Sequence, residues 1–173
     1  MRRVLSGFVA SALALLIHLG AVPAAFADTT PQTLPFTQDW TNTGLITAND
    51  DWSGVPGLQG FRGDGLTGAT GTDPQTLLDG DDAAPVLDVN ANQTNPDTFS
   101  TGGVTEFEIA NAAVALAGSG TADAPYLRFY LDTTGAANVS VAYNLRDLDG
   151  SAVDAIQQVA LHYGVGSTGS FTN

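Results

Sequence analysis

The chain has 173 residues, no cysteine, and 18 acidic against five basic residues, which gives a formal net charge of −13 at pH 7. Such an acidic surface excludes binding to nucleic-acid phosphate or to anionic lipid, because both depend on Lys and Arg replacing counterions. Without cysteine the chain has neither disulfides nor thiol chemistry, so an apolar core must stabilise it.

The first 27 residues have the order of a secretory signal peptide. A basic start is followed by an apolar run from Val4 to Val22 and by the small residues of Ala25–Ala27, the type of site that a signal peptidase cleaves. A retained transmembrane anchor is the alternative, which the polar residues within the run disfavour. We therefore expect residues 1–27 to be removed and residues 28–173 to form one secreted, extracellular domain without membrane contact. That domain has three basic and 18 acidic residues, a net charge of −15.

The early part of the mature chain is predicted to consist of loops and short strands. Residues 60–98 are crowded with Asp, Asn, Gly and Thr, which favour turns. The short strand candidates are "PQTLLD" at 74–79, "APVLDV" at 84–89 and "VTEFEIA" at 104–110, the last with its glutamates on a solvent-exposed face. The alanine-rich residues 108–118 are the one candidate for a turn or two of helix, and we do not base the fold on it.

Three later segments have the clearest two-residue alternation of apolar and polar residues. They are "YLRFYLD" at 126–132, "NVSVAYNLRD" at 138–147 and "QQVALHYGV" at 157–165, and we expect them to be antiparallel neighbours. A further strand begins at residues 170–172, where the chain stops, so an incomplete sheet is expected. The pattern predicts an all-β fold, an antiparallel jelly-roll-like β-sandwich whose last strands are missing.

The mature chain offers little for catalysis. Its one histidine, His162, lies on the outer face of a predicted strand, where a histidine is usually structural or solvated. No G-x-S-x-G, H-E-x-x-H or P-loop motif occurs. A glycosidase-type carboxylate pair stays open because carboxylates are abundant. We expect no catalytic residue in this chain.

Calcium is the cofactor that the sequence best accommodates, although none is required. The turn "RDLDGSAVD" brings Asp147, Asp149 and Asp154 around a glycine, and Ca²⁺ is bound by clustered carboxylate oxygens. The alternative, which we favour, is an ordinary Asp-Gly turn in which Asp147 pairs with Arg146 or caps the backbone. "DVNANQ" at 88–93 begins like an EF-hand loop but lacks the required glycine and the closing glutamate.

Four aromatic residues near the start of the mature chain have two interpretations. Trp40, Trp52, Phe36 and Phe61 would either form a platform on which sugar rings stack, as in carbohydrate-binding modules, or pack into the core. We favour the core.

Longer stretches of the mature chain resemble a known kind of module. "LPFTQDWTNTGLITANDDWSGVPGLQGFRGDGLTGATGTDPQTLL", "DVNANQTNPDTFSTGGVTEFEI", "VALAGSGTADAPYLRFYLDTT" and "VSVAYNLRDLDGSA" are similar to the N-terminal jelly-roll-like module of large secreted bacterial multidomain proteins. Some of these resemble extracellular endonuclease/exonuclease/phosphatase-type nucleases, and others carry lamin-tail or immunoglobulin-like repeats. The resemblance covers nearly all of the mature chain and implies a fold rather than an activity.

The resemblance implies a non-catalytic extracellular β-sandwich module of a larger secreted bacterial protein, with a spacer, adhesion or substrate-presenting role. One alternative is an accessory module of a secreted nuclease or phosphodiesterase whose catalytic domain is absent from this sequence; no nuclease residue is carried over, since no position matches one. The other alternative is a carbohydrate-binding module. The expected partners are glycans or downstream domains of the same chain, and not nucleic acid.

Overall fold

The computed structural model describes residues 28–69, 71–77, 86–150, 158–166 and 170–173. Within these ranges lie seven β-strands and three 3-10 helical turns. The strands are β1 (Gln32–Thr33), β2 (Leu58–Phe61), β3 (Asn90–Gln93), β4 (Gly103–Phe107), β5 (Ala113–Ala117), β6 (Tyr126–Phe129) and β7 (Leu131–Asp132), and the helical turns are η1 (Thr43–Leu45), η2 (Pro74–Thr76) and η3 (Pro96–Thr98).

The strands form three small sheets. β1 pairs with β7 in parallel, β2 pairs with β6 in antiparallel, and β4 lies between β3, which is parallel to it, and β5, which is antiparallel. The described fold is therefore β-rich, as the alternating pattern predicts. The expectation of antiparallel pairing is wrong for β1–β7 and for β3–β4, which are parallel. Between β3 and β4, residues 94–102 form a crossover connection instead of a hairpin.

One apolar core lies between the β2–β6 pair and the three-stranded sheet. Trp52 is its largest member and is fully buried. A Cβ atom on Gly60 of β2 would overlap the Trp52 ring and the Val104 side chain, so glycine at this position lets the strand approach the core closely. The buried members of the core are Ile46, Trp52, Val55, Leu58, Val89, Ala91 and Val104.

All five residues of β4 are buried, so the prediction of a half-exposed strand is wrong for Glu106, whereas Glu108, just after the strand, is exposed as expected. The strand has a hydrogen-bonded neighbour on each side, and its side chains are covered on both faces. Val104 belongs to the core, while Phe107 meets the ring of Phe99 edge-on at a centroid distance of 5.7 Å on the opposite face. Glu106 lies two residues after Val104 and shares its face of the strand, so its side chain is also in the interior.

One local prediction fails because of turn chemistry, and one alternative that we did not adopt is absent from the structure. Residues 74–76 of the candidate strand "PQTLLD" form η2, because Asp73 accepts the N–H of Gln75 at 3.0 Å and Pro74 favours the first helical position; residues 78 and 79 lie outside the described residues. The helical competitor at 108–118 instead contains β5, whose alanines pair with β4 in register. Pairing with a central strand outweighs the helix propensity of alanine.

The sequence predicts strands at 138–147 and 157–165, but the structure has no strand at 138–147 or in the described part of the second segment, 158–165. The described chain gives residues 138–147 no backbone hydrogen-bond partner, and in the second segment only Tyr163 is bridged, antiparallel to Thr172, by two hydrogen bonds of 2.8 Å. Their apolar residues at alternate positions are exposed, by 45% to 82% of their surface. We call these side chains the two apolar rows: Val139, Val141, Tyr143 and Leu145 in the first, and Val159, Leu161, Tyr163 and Val165 in the second.

Candidate functional site

The turn proposed for calcium is built around backbone capping. The carboxylate of Asp147 accepts the N–H of Asp149 at 3.1 Å, and the N–H of Gly150 donates to Asp97 at 2.7 Å. Asp97 comes from η3, which the sequence did not place near this turn. Asp154 lies outside the described residues.

Two further observations bear on the calcium turn. Arg146 donates to the backbone carbonyl of Asn111, so this guanidinium joins the turn to the residues before β5. Among the described residues, no group of three or more His, Asp or Glu side chains is arranged to hold a metal ion. The contacts of Asp147 are those of the capped turn favoured from the sequence.

The aromatic residues proposed as a sugar platform do not share one open surface. Trp52 is completely buried, and Trp40 packs against the same core. Phe36 meets Phe129 edge-on at 6.5 Å, whereas Phe61 stacks on Tyr126 at 4.9 Å with an angle of 15° between the rings. The core interpretation is confirmed for Trp52, which has no face to offer a sugar ring.

A different aromatic cluster forms on the face of the β2–β6 pair that points away from the core. Phe61 is opposite Tyr126 in the register, and both rings lie near the guanidinium of Arg128, at 4.9 and 5.6 Å from their centroids. Phe171, near the end of the chain, adds a third ring at 5.1 Å. We call these four residues the Arg128 cluster.

Polar groups continue the same face along the two strands. Gln59 is opposite Arg128 and is buried, and its side-chain oxygen accepts the hydroxyl of Tyr130 at 2.6 Å. Alternate residues of a strand share one face, which explains why residues 126, 128 and 130 meet here while Leu127 packs on the core. The face therefore combines rings, one cation and a hydrogen-bonded hydroxyl.

Asp88 is the carboxylate with the most strongly displaced pKa among the described residues. Asp88 comes directly after Leu87, which forms an isolated antiparallel bridge with Phe61. Its Oδ2 lies so close to Gly103 that a Cβ atom there would overlap it. Burial, and then the negative charge of Asp50, raise the pKa of Asp88 to about 6, against a lowering by Arg62. Asp88 thus titrates closer to neutrality than an ordinary aspartate.

Glu106 is the second carboxylate held in the interior. Only 4% of its surface is exposed, its Oε2 accepts the N–H of Asn92 at 2.6 Å, and its Oε1 is buried without a hydrogen-bond partner in the described chain. Burial raises the pKa of Glu106, and the nearby charge of Glu108 acts in the same direction. Its contact with the Asn92 backbone joins β4 to β3.

Sequence reasoning missed the Arg128 cluster and both interior carboxylates. The sequence analysis includes Arg128 only as part of the predicted strand at 126–132. Two of its ring partners are distant in the chain, since Phe61 lies 67 residues before it and Phe171 lies 43 residues after it. The available signal was the aromatic residue two positions from Arg128 in "YLRFY", which shares its face in any strand.

Comparisons of the chain with protein-family models, with curated proteins and with solved structures find no match. Among the described residues, no helix has both the length and the apolar character needed to cross a membrane. The function is therefore inferred from the chain's own residues and contacts.

Proposed function

We propose that the chain is a non-catalytic extracellular module with a jelly-roll-like β-sandwich fold, part of a larger secreted bacterial protein, with a spacer, adhesion or substrate-presenting role. In this proposal residues 1–27 direct secretion and residues 28–173 form the module. In this proposal the module acts by binding other protein segments.

The two apolar rows are the observation that most supports this proposal. Their side chains alternate as in a strand, and Leu145 is 65% exposed while Val165 is 82% exposed. Among the described residues, the backbone of 138–147 has no hydrogen-bonded strand beside it, and a segment with apolar side chains at alternate positions is a template for pairing with another strand. We infer that neighbouring domains of the parent protein cover the two rows.

The interior carboxylates support a structural role better than a catalytic one. Asp88 lies against the backbone at Gly103, and Glu106 binds the backbone N–H of Asn92. General acid–base catalysis needs a carboxylate within reach of a substrate proton. Both of these side chains instead contact strands of the β3–β4–β5 sheet.

Secretion of the full chain from a bacterial host tests the proposal. The expected result is a protein in the extracellular fraction whose intact mass corresponds to a start at Asp28. Retention of the uncut chain in the cytoplasm would contradict an extracellular role.

The non-catalytic role needs a separate assay on the secreted protein. Single-stranded DNA, RNA and a nitrophenyl phosphodiester, each with Mg²⁺ or Ca²⁺, should be left intact. Hydrolysis that co-purifies with the protein and is lost in Asp88→Asn or in Glu106→Gln would overturn the proposal. If both variants retain the hydrolysis, a variant without residues 1–27 is purified from the cytoplasm and assayed. An activity of the protein itself should persist in that variant, and its persistence would overturn the proposal.

A further inference from the structure

The apolar core of the protein opens on one side into a groove. Leu116 of β5 comes two residues after Val114, and Phe129 of β6 comes two residues after Leu127. Val114 and Leu127 pack on the core, and alternate residues of a strand share one face. Leu116 and Phe129 are nevertheless 45% and 47% exposed. The core-facing side of both strands therefore continues beyond the part that other side chains cover.

The two apolar rows line the same groove as Leu116 and Phe129. Exposed apolar side chains from four segments of the chain thus meet at one place, and an apolar patch of this kind is typical of a binding surface. Among the described residues, β5 has a hydrogen-bonded neighbour on one side only, and no strand pairs with residues 138–147. The groove therefore combines apolar side chains with strand edges to which a further strand can be added.

The charged side chains at the groove are mainly acidic. Four exposed carboxylates line it, those of Asp39, Asp123, Asp147 and Asp149. Two arginines also line it, but Arg128 lies against the rings of its cluster, and Arg146 donates to a backbone carbonyl. The chain has no lysine, and its mature part has a net charge of −15. Lysine and arginine side chains of a partner complement such a groove, whereas acidic side chains are repelled.

We infer that the groove binds an extended protein segment in which apolar residues alternate with lysine or arginine. The apolar side chains of that segment contact the two apolar rows, its long basic side chains reach the carboxylates, and its backbone adds a strand to an open edge. A second copy of this acidic chain fits less well, because the two copies repel each other. This inference rests on the proposed function, which assigns the two rows to protein contacts, and it specifies the chemistry of the segment that they bind.

Calorimetric titration of the secreted chain with synthetic peptides tests the inference. Three peptides of about eight residues, an ordinary strand length, are compared. The first alternates valine with lysine, the second alternates valine with glutamate, and the third has the composition of the first with its valines and lysines in separate blocks. The alternating lysine peptide should bind about tenfold or more tightly than either of the others. Its affinity should fall between about 50 and 500 mM salt, because salt screens the charges.

Two matched substitutions locate the binding surface. Val141 belongs to the first apolar row and is 53% exposed, whereas Val86 is 37% exposed and lies outside the groove in the described chain. Val141→Thr should weaken binding of the alternating lysine peptide by about fourfold, because a hydroxyl replaces a methyl group at an apolar contact. Val86→Thr should leave the affinity unchanged. Both side chains are exposed, so both variants should fold.

The inference is overturned if the alternating lysine peptide does not bind at about 1 mM, if either other peptide binds as tightly, or if Val141→Thr binds as the wild type does. Self-association of the peptide-free chain in analytical ultracentrifugation would assign the groove to a second copy and would also overturn it. The secretion and hydrolysis assays measure the proposed function separately. A secreted, inactive chain that binds none of the peptides therefore contradicts this inference alone.

Discussion

The chain contains two regions with the same alternating pattern and different outcomes. In β6 the alternation of "YLRF" is paired antiparallel with β2, and Leu127 packs on the core. In residues 138–147 an equally regular alternation leaves Val141 53% and Leu145 65% exposed. Alternation sets which side chains share a face, but a strand forms only where a second segment offers its backbone groups.

The largest expected difference between the two regions is in the cost of losing a leucine. Leu58→Ala should lower the free energy of unfolding by about 2–5 kcal/mol, because Leu58 is fully buried and the change leaves a cavity. The matched change Leu145→Ala should cost less than about 0.5 kcal/mol, since that side chain is mostly in water. Urea unfolding followed by tryptophan fluorescence measures both. Equal losses would mean that residues 138–147 pack as tightly as β2.

Glu106 and Arg128 illustrate why burial was harder to predict than strand positions. The apolar and polar alternation of "VTEFEIA" located β4 correctly, but burial of Glu106 depends on β3, whose parallel pairing follows from the crossover at residues 94–102. The Arg128 cluster likewise depends on the register of β2 with β6 and on a ring from the end of the chain. The residue pattern within one strand does not show which distant segments pair with it or pack on it.

A smaller effect is expected from the interior carboxylate Asp88. Its raised pKa means that protonation stabilises the fold, fully below the usual value of 3.8, and that this stability is lost as the pH rises through about 6. A shift of this size corresponds to about 3 kcal/mol, which partial solvent exposure reduces to about 1 kcal/mol. Asp88→Asn should therefore be more stable than the wild type at pH 7 by about that amount, with no advantage at pH 3.

Thermal unfolding of both proteins between pH 3 and pH 8 measures this difference. Asp39→Asn is the control of opposite sign, because hydrogen bonds from the Thr41 backbone and side chain lower the pKa of the exposed Asp39. Its difference from the wild type should grow less favourable as the pH rises. If the difference in stability between Asp88→Asn and the wild type is the same at every pH, the pKa of Asp88 is not raised by burial, and this prediction is wrong.

The smallest expected effect is that of calcium on the turn at Asp147. The carboxylate of Asp147 caps the N–H of Asp149, so the turn is formed without a metal. Millimolar calcium should leave the melting temperature unchanged, because only a ligand that binds the folded state stabilises it. A calcium-dependent rise that Asp147→Asn abolishes would establish the calcium alternative, and a rise that this variant retains would place the calcium elsewhere.

Amide hydrogen exchange on the secreted chain tests the contrast between the two regions most directly. The account predicts strong protection in β2 and β4, whose backbone groups are paired within buried sheets, and rapid exchange across residues 138–147. In the second segment, protection should be confined to Tyr163, which is bridged to Thr172. Protection of alternate amides throughout residues 138–147 would contradict the account, because it would mean that this segment is already a paired strand.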